Sequence, residues 1–169
     1  MIALENRPRL HAVAEHIRLG ATSAGAQVRC VGDADARQET VLALLDWADG
    51  VTFGVEGHNG TLAPGSKNFL EHTASLWQAR RLGSLLVSAF SADPSVESAS
   101  ARSAVYRTAY HWGSLVSADT PPPGHDPRVG RAHGARLARL AGRLAMARHR
   151  PAIVAPAGDQ GLRSPARTP

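Results

Sequence analysis

The stretch from Ala48 to Trp77 constrains the fold more than any other part of the chain. A β-branched and aromatic run, Val51 to Phe53, meets a glycine-rich turn, Gly54 to Gly60. A segment with Phe69, Leu70, Thr73 and Leu76 at helical spacing then follows. The pattern predicts strand, loop and helix. In such a unit the loop lies at the carboxyl end of the strand, where open α/β sheets take their ligands.

The flanking sequence supplies neighbours for that strand. Met1 to Leu4 is an apolar stub, which a start further upstream would lengthen into a fuller strand. Leu10, Val13, Ala14 and Ile17 predict a first helix with Pro8 near its first turn, and Gly20 and Gly25 are expected to bracket its exit loop. Gln27 to Val31 reads as the second strand, Gly32-Asp-Ala-Asp as a turn, and Val41, Leu44, Leu45 and Ala48 as a second helical face. Leu85 to Phe90 is nearly continuous apolar sequence, as in strands buried on both faces. Ala101, Val105, Ala109 and Trp112 mark a helix that stops at Gly113, before a short strand over Ser114 to Ala118. Pro121 to Pro127 is a loop, and Leu137, Leu140, Ala141 and Leu144 form the apolar face of a closing helix over 128–148.

Strand and helix alternate with no hairpin signal between strands. This predicts an α/β fold with a five-stranded parallel sheet of order 2-1-3-4-5, covered on both faces. The domain is expected over 1–148, and 149–169 as a disordered, basic, Pro-rich tail. Ligand contacts are expected from the loops after Leu4, Gly54 and Phe90.

Composition narrows the function classes. With 43% hydrophobic and 20% charged residues the chain is globular, and no apolar run is long enough to cross a bilayer. Residues 1–20 lack a secretory pattern, so the cytoplasm is the expected compartment and no membrane partner is expected. The single cysteine, Cys30, excludes an internal disulfide and reads as an inert buried thiol. The eight histidines show no metal-ligand spacing, and Gly-x-Ser-x-Gly is absent. The net charge of +5 divides into +8 over 128–169 and −3 elsewhere. Eighteen Arg against one Lys, Lys67, is explained as well by the base composition of the coding DNA as by phosphate contacts, and nucleic acid is not the expected partner.

Ala48-Asp-Gly-Val-Thr-Phe-Gly54, followed by Gly60, Phe69-Leu70, Thr73 and Leu76-Trp77, resembles the flavodoxin-like NAD(P)H:quinone oxidoreductases of the tryptophan-repressor-binding-protein (WrbA) type. Their corresponding stretches read A-D-x-I-x-F-G-T-P-T-R-F-G-N and F-L-D-Q-T-x-x-L-W. His111 and Gly113 fall on the first and last positions of an H-H-G triplet, and the helix from Ala132 resembles the family's closing helix. The resemblance implies a flavodoxin-like three-layer sandwich and a two-step reaction, hydride from NAD(P)H to FMN and two electrons to a quinone. It places Gly57, His58, Asn59 and Gly60 against the flavin and ribityl chain, His111 facing the ring, and Trp77 on the quinone pocket. It also implies a homo-oligomer, dimer or tetramer, that completes the flavin pocket. Ser91, which follows a buried strand, is a further candidate for the cofactor. No catalytic acid or nucleophile is implied, because the flavin carries the redox step.

The same residues admit structural readings. His58 can be a solvated loop residue, His111 a helix-end cap, Trp77 the end of a core stripe, Ser91 a turn residue, and the Arg stripe of the last helix a solvated face. The loops also depart from the family. Its Ser-, Thr- and Gly-rich phosphate loop becomes Glu5-Asn-Arg-Pro-Arg-Leu10, with a carboxylate, no hydroxyl and one N–H fewer. Arg7 or Arg9 is the remaining phosphate ligand there. Thr-Pro-Thr-Arg-Phe becomes Val55-Glu-Gly-His-Asn59, and a Thr-Gly-Thr-Gly-Gly-Gly run becomes Ala92-Asp-Pro-Ser-Val-Glu97. These changes define an alternative, a flavodoxin-like pseudoenzyme or interaction module without FMN. A nucleic-acid-associated protein using the Arg-rich end is the third class considered.

Overall fold

The computed structural model describes residues 1–4, 7–32, 37–118 and 126–148. Its central sheet holds strands β1 (Ile2–Leu4), β2 (Cys30–Gly32), β3 (Gly50–Gly54), β6 (Leu86–Phe90) and β7 (Leu115–Val116). All neighbours are parallel, in the order β2-β1-β3-β6-β7. Numbered within this sheet alone, that is the expected 2-1-3-4-5.

Side chains alternate across each strand, so the two faces collect different residues. Val51 and Phe53 of β3 and Val87 and Ala89 of β6 face helices α2 (Gln38–Trp47), α3 (Pro64–Glu71), α4 (Ala74–Gln78) and α5 (Val96–Trp112). Phe53 meets Phe69 edge-on at 5.8 Å and Trp112 at 6.3 Å between ring centroids. On the opposite face, Ile2 and Phe90 pack on Leu10, Val13 and Ile17 of α1 (Pro8–Ser23), and Leu86 packs on Leu137 and Ala141 of α6 (Pro127–Arg148).

Helices α1 and α6 touch through their backbones. A Cβ at Gly134 would stand 1.9 Å from the Ile17 carbonyl oxygen, and one at Gly20 would stand 2.0 Å from that of Arg131. Gly20 is therefore a contact inside α1, not the start of its exit loop; the exit is at Gly25, whose φ of +87° ends the helix.

A hairpin is the second departure. Strands β4 (Gly57–His58) and β5 (Thr61–Leu62) pair antiparallel across Asn59-Gly60, with φ of 49° and 75° at the two turn residues. Both central residues are left-handed, as a type I′ turn requires, and Asn-Gly is its strongest sequence signal.

Cys30 is exposed, because β2 forms the edge of the sheet. Partial burial nonetheless pushes its thiol above the ordinary value. The expected buried position is thus corrected, while a protonated thiol at neutral pH remains. Gly32 of the expected turn over 32–35 ends β2, and the rest of that turn, most of the 121–127 loop and the 149–169 tail lie outside the described residues.

Candidate functional site at the carboxyl edge of the sheet

The sheet order brings the carboxyl ends of β1, β3 and β6 side by side, and the three candidate loops leave from them. Glu5 and Asn6 of the first loop lie outside the described residues. Arg7 caps α1 in extended conformation, without a side-chain hydrogen bond, and Pro8 occupies the first helical position. The Arg7 guanidinium is 3.8 Å from Glu56 of the second loop, so a cation available for phosphate already faces a carboxylate.

The second loop is the hairpin, and it rests on the start of α5. A Cβ at Gly57 would meet the Glu97 backbone at 2.3 Å, so this glycine permits direct contact between backbones. Ser100 donates to the Gly60 carbonyl at 2.6 Å and pins the hairpin's tip.

In the third loop Asp93 bonds two serines at the start of α5. Its Oδ1 accepts from the Ser95 amide at 2.9 Å and the Ser98 hydroxyl at 2.8 Å. The Ser95 hydroxyl in turn accepts from the Ser98 amide at 3.1 Å. Hydrogen bonds from Ser95 and Ser98, with a smaller contribution from Arg9, hold the Asp93 carboxyl below its ordinary value. Negative charge at a helix N-terminus is favourable, and here a side chain supplies it. Ser91 is buried; its hydroxyl donates to the Asp93 carbonyl at 2.9 Å and accepts from Arg102.

The residues expected at the flavin fall into two groups. Gly57, His58, Asn59, Gly60 and Ser91 lie at the carboxyl edge, with His58 exposed. His111 follows Glu97 by fourteen positions along α5, about 21 Å at the helical rise, and so lies toward the amino edge. Trp77 is there too: its indole N–H donates to the His111 carbonyl at 2.9 Å, and it is 46% exposed, not a core residue. The two groups do not share one pocket within this chain.

Two cavities among the described residues lie on either side of this division. The hollow at the end of β3, lined by Phe53, Val55, Ser66, Phe69 and Val105, measures about 10 Å³, the room of one water. A cleft of about 450 Å³ opens at the amino edge instead, among Met1, Ala24, Trp47, Asp49, Gly50 and Ala138.

Asp93, Ser95, Ser98 and Arg102 were not anticipated as a unit. Their signal was a capping pattern: Ser95 precedes the helix and Ser98 stands three residues on.

Among the described residues, the groups at these loops differ from those that the resemblance implies for FMN. The Asp93 carboxylate stands beside the start of α5, Arg7 faces Glu56, and the hairpin meets α5 directly at Gly57.

Among the described residues no group of His, Cys, Asp and Glu could hold a metal, and no helix is long and apolar enough to cross a membrane. No protein-family model matches the sequence, and no curated protein matches it. Solved structures do. The flavodoxin, WrbA-like protein from Agrobacterium tumefaciens is 20% identical with a TM-score of 0.64, covering 84% of this chain and 96% of that one. A flavodoxin from the domain Archaea is 17% identical with a TM-score of 0.61, covering 84% and 99%. The flavodiiron protein from Giardia intestinalis is 16% identical with a TM-score of 0.64; the match covers 86% of this chain but 36% of that longer one. The strand order, the helices on both faces and these likenesses together give the chain the flavodoxin-like fold.

Proposed function

We propose that this chain is a flavodoxin-like binding module that does not hold FMN. The observation that carries this reading is the Asp93 carboxylate, bonded to the Ser95 amide and Ser98 hydroxyl at the edge where such folds take an anionic ligand. Among the described residues, Asp93 takes Ser95 and Ser98, Arg7 faces Glu56, and Gly57 lies directly against α5, which supports a loop edge occupied by the chain's own groups.

A second reading is the FMN-dependent NAD(P)H:quinone oxidoreductase that the sequence resembles. It is favoured by the N-terminus of α1, which has no side-chain cap and has Arg7 and Arg9 beside it. In this reading the arginines replace the missing hydroxyls as phosphate ligands. Trp77 and His111, far from Gly57 to Gly60 in one copy, then reach a quinone and flavin only across a homo-oligomer.

The test is an absorbance spectrum of the purified protein, followed by titration of FMN fluorescence. A folded protein that leaves FMN unquenched up to about a hundred times micromolar concentration supports the binding module. Bound flavin, or saturable quenching at micromolar FMN, overturns it and calls for assays with NADH, NADPH and benzoquinone.

A further inference from the structure

We propose that the cleft at the amino edge is a binding site for a small organic ammonium ion, with the apolar body of the ligand between α1 and α6 and its cationic group toward Asp49. The cleft measures about 450 Å³, within the range of small-molecule sites, whereas the hollow at the other edge has the room of one water. It follows from the unequal lengths of two packed helices. α1 and α6 meet backbone to backbone at Gly20 and Gly134, but α1 ends at Ser23 while α6 runs on to Arg148. Past that contact the α6 wall consists of small residues, Ala138, Ala141 and Gly142, and a Cβ at Gly142 would meet nothing within 4 Å.

The walls suit an apolar body, and the charge around them suits a cation. Ala21, Ala24, Val28 and Leu137 also line the cleft, and the Trp47 indole beside them is 38% exposed. Among the lining residues the one charged side chain is Asp49; the chain has 18 arginines, and none lines the cleft. Helices α1 and α2 both end at it with no basic residue in the last turn, so their carbonyl ends add partial negative charge.

Two positive groups stand near. The Met1 amine donates to the Gly50 carbonyl at 2.8 Å, and burial pushes it down to about 6, so at neutral pH it adds little charge. The Arg29 guanidinium lies 4.6 Å over the Trp47 ring and is not among the lining residues; its contact shows that this indole accepts a cation. Asp49 is itself engaged within the chain. A carboxylate offers about four acceptor positions, so an incoming ammonium adds to its contacts without displacing one. An anion of the same size would meet the Asp49 charge and the carbonyl ends.

Amide NMR shifts of the full chain test the site, in separate titrations with phenethylamine hydrochloride and with sodium 3-phenylpropanoate, a probe of similar size and opposite charge. Phenethylammonium should shift the Asp49, Gly50 and Gly142 amides saturably at about millimolar concentration, and 3-phenylpropanoate should bind at least about tenfold more weakly. Gly142→Phe, whose ring enters open space, should keep the wild-type circular dichroism and lose the saturable shifts. Asp49→Asn should weaken phenethylammonium at least about fivefold and leave 3-phenylpropanoate no weaker. The proposal is overturned by the absence of saturable shifts up to about 50 mM phenethylammonium, by 3-phenylpropanoate binding as tightly, by binding that survives in Gly142→Phe, or by an unchanged affinity in Asp49→Asn. If Gly142→Phe does not fold, the two probes and Asp49→Asn decide in the same way.

Discussion

The two faces of the sheet are assembled by different means. The face covered by α2 to α5 is an apolar core in which Phe53, Phe69 and Trp112 interlock and Val51, Val87, Val105 and Ala109 fill the spaces between. The face covered by α1 and α6 brings helix backbones together at Gly20 and Gly134 and places hydroxyls and an imidazole beneath them. The first face depends on volume, since removing atoms leaves a void. The second depends on proximity, since adding atoms separates the helices.

The sharpest test of this contrast removes volume from the first face. Phe53→Ala should destabilise the chain by about 4 kcal/mol, because the lost ring contacts both Phe69 and Trp112 and leaves a cavity. Urea unfolding followed by far-UV circular dichroism measures it. A loss under 1 kcal/mol would show that the aromatic cluster collapses to fill the space.

Adding volume to the other face comes next. Gly134→Ala should cost about 3 kcal/mol, because its methyl would meet the Ile17 carbonyl and the neighbouring backbone of α1. Gly142, two turns further along the same helix, has nothing within 4 Å of an added Cβ. Gly142→Ala should therefore stabilise by up to about 1 kcal/mol through helix propensity. Equal effects at both glycines would remove the distinction between the faces.

This contrast also explains how much of the fold was legible in the sequence. Ala101, Val105, Ala109 and Trp112 are all buried on α5, and Gly113 ends it with a φ of +74°, as their spacing predicts. Periodicity reports apolar stripes, and that face consists of them. On α6, Leu137 and Ala141 were read correctly, but Gly130, His133 and Gly134 carry no hydropathy signal and were missed. The same limit applied at Gly20, a glycine read as a helix stop that serves as a helix contact. At the candidate site the order of the loops was legible, whereas their partners were not. Arg7 with Glu56, and Asp93 with Ser98, are contacts that only the folded chain brings together or orients. The Asn59-Gly60 hairpin was the exception, because its turn chemistry is local and was present to be read.

A smaller effect is expected where α5 begins. Ser95→Ala should cost about 1 kcal/mol, through loss of the bond from the Ser98 amide. pH separates this cap from the buried His133 of α6, whose Nε2 lies 3.4 Å from Thr52 Oγ1 and Ser88 Oγ and whose imidazole is pushed down to about 4 by burial. The Asp93 carboxyl is depressed on folding, so its contribution is present above the unfolded value and is lost as pH falls through its lowered folded value. The imidazole contribution is lost first, between pH 6.5 and 4. In urea unfolding at each pH, Asp93→Asn should therefore be less stable than wild type by a constant amount from pH 7 to 5, and the gap should close as pH falls through the lowered carboxyl range. A gap that already closes at pH 6 would mean that cap and imidazole titrate as one unit.

The least destabilising change bears most directly on function, because the carboxyl edge is where the two faces meet. Arg7 leads into α1 on one face, and Glu56 opens the hairpin that rests on α5 of the other. At 3.8 Å and half exposed, their ion pair is screened by solvent, so Glu56→Gln should change stability by less than about 0.5 kcal/mol. If the chain does not hold FMN, as proposed, the effect of Glu56→Gln on ligand binding discriminates between two causes. If the Glu56 charge alone excludes phosphate, Glu56→Gln should bind FMN saturably, with Arg7 released to the phosphate and the bound flavin visible by its quenched fluorescence. If instead the hairpin lies too close to α5 at Gly57 for a ring to enter, Glu56→Gln should remain as indifferent to FMN as wild type. The second outcome is expected, because a charge substitution leaves the contact between Gly57 and Glu97 in place. Tight FMN binding by Glu56→Gln would show that proximity at this edge yields to electrostatics, and that the direct packing between backbones is confined to α1 and α6.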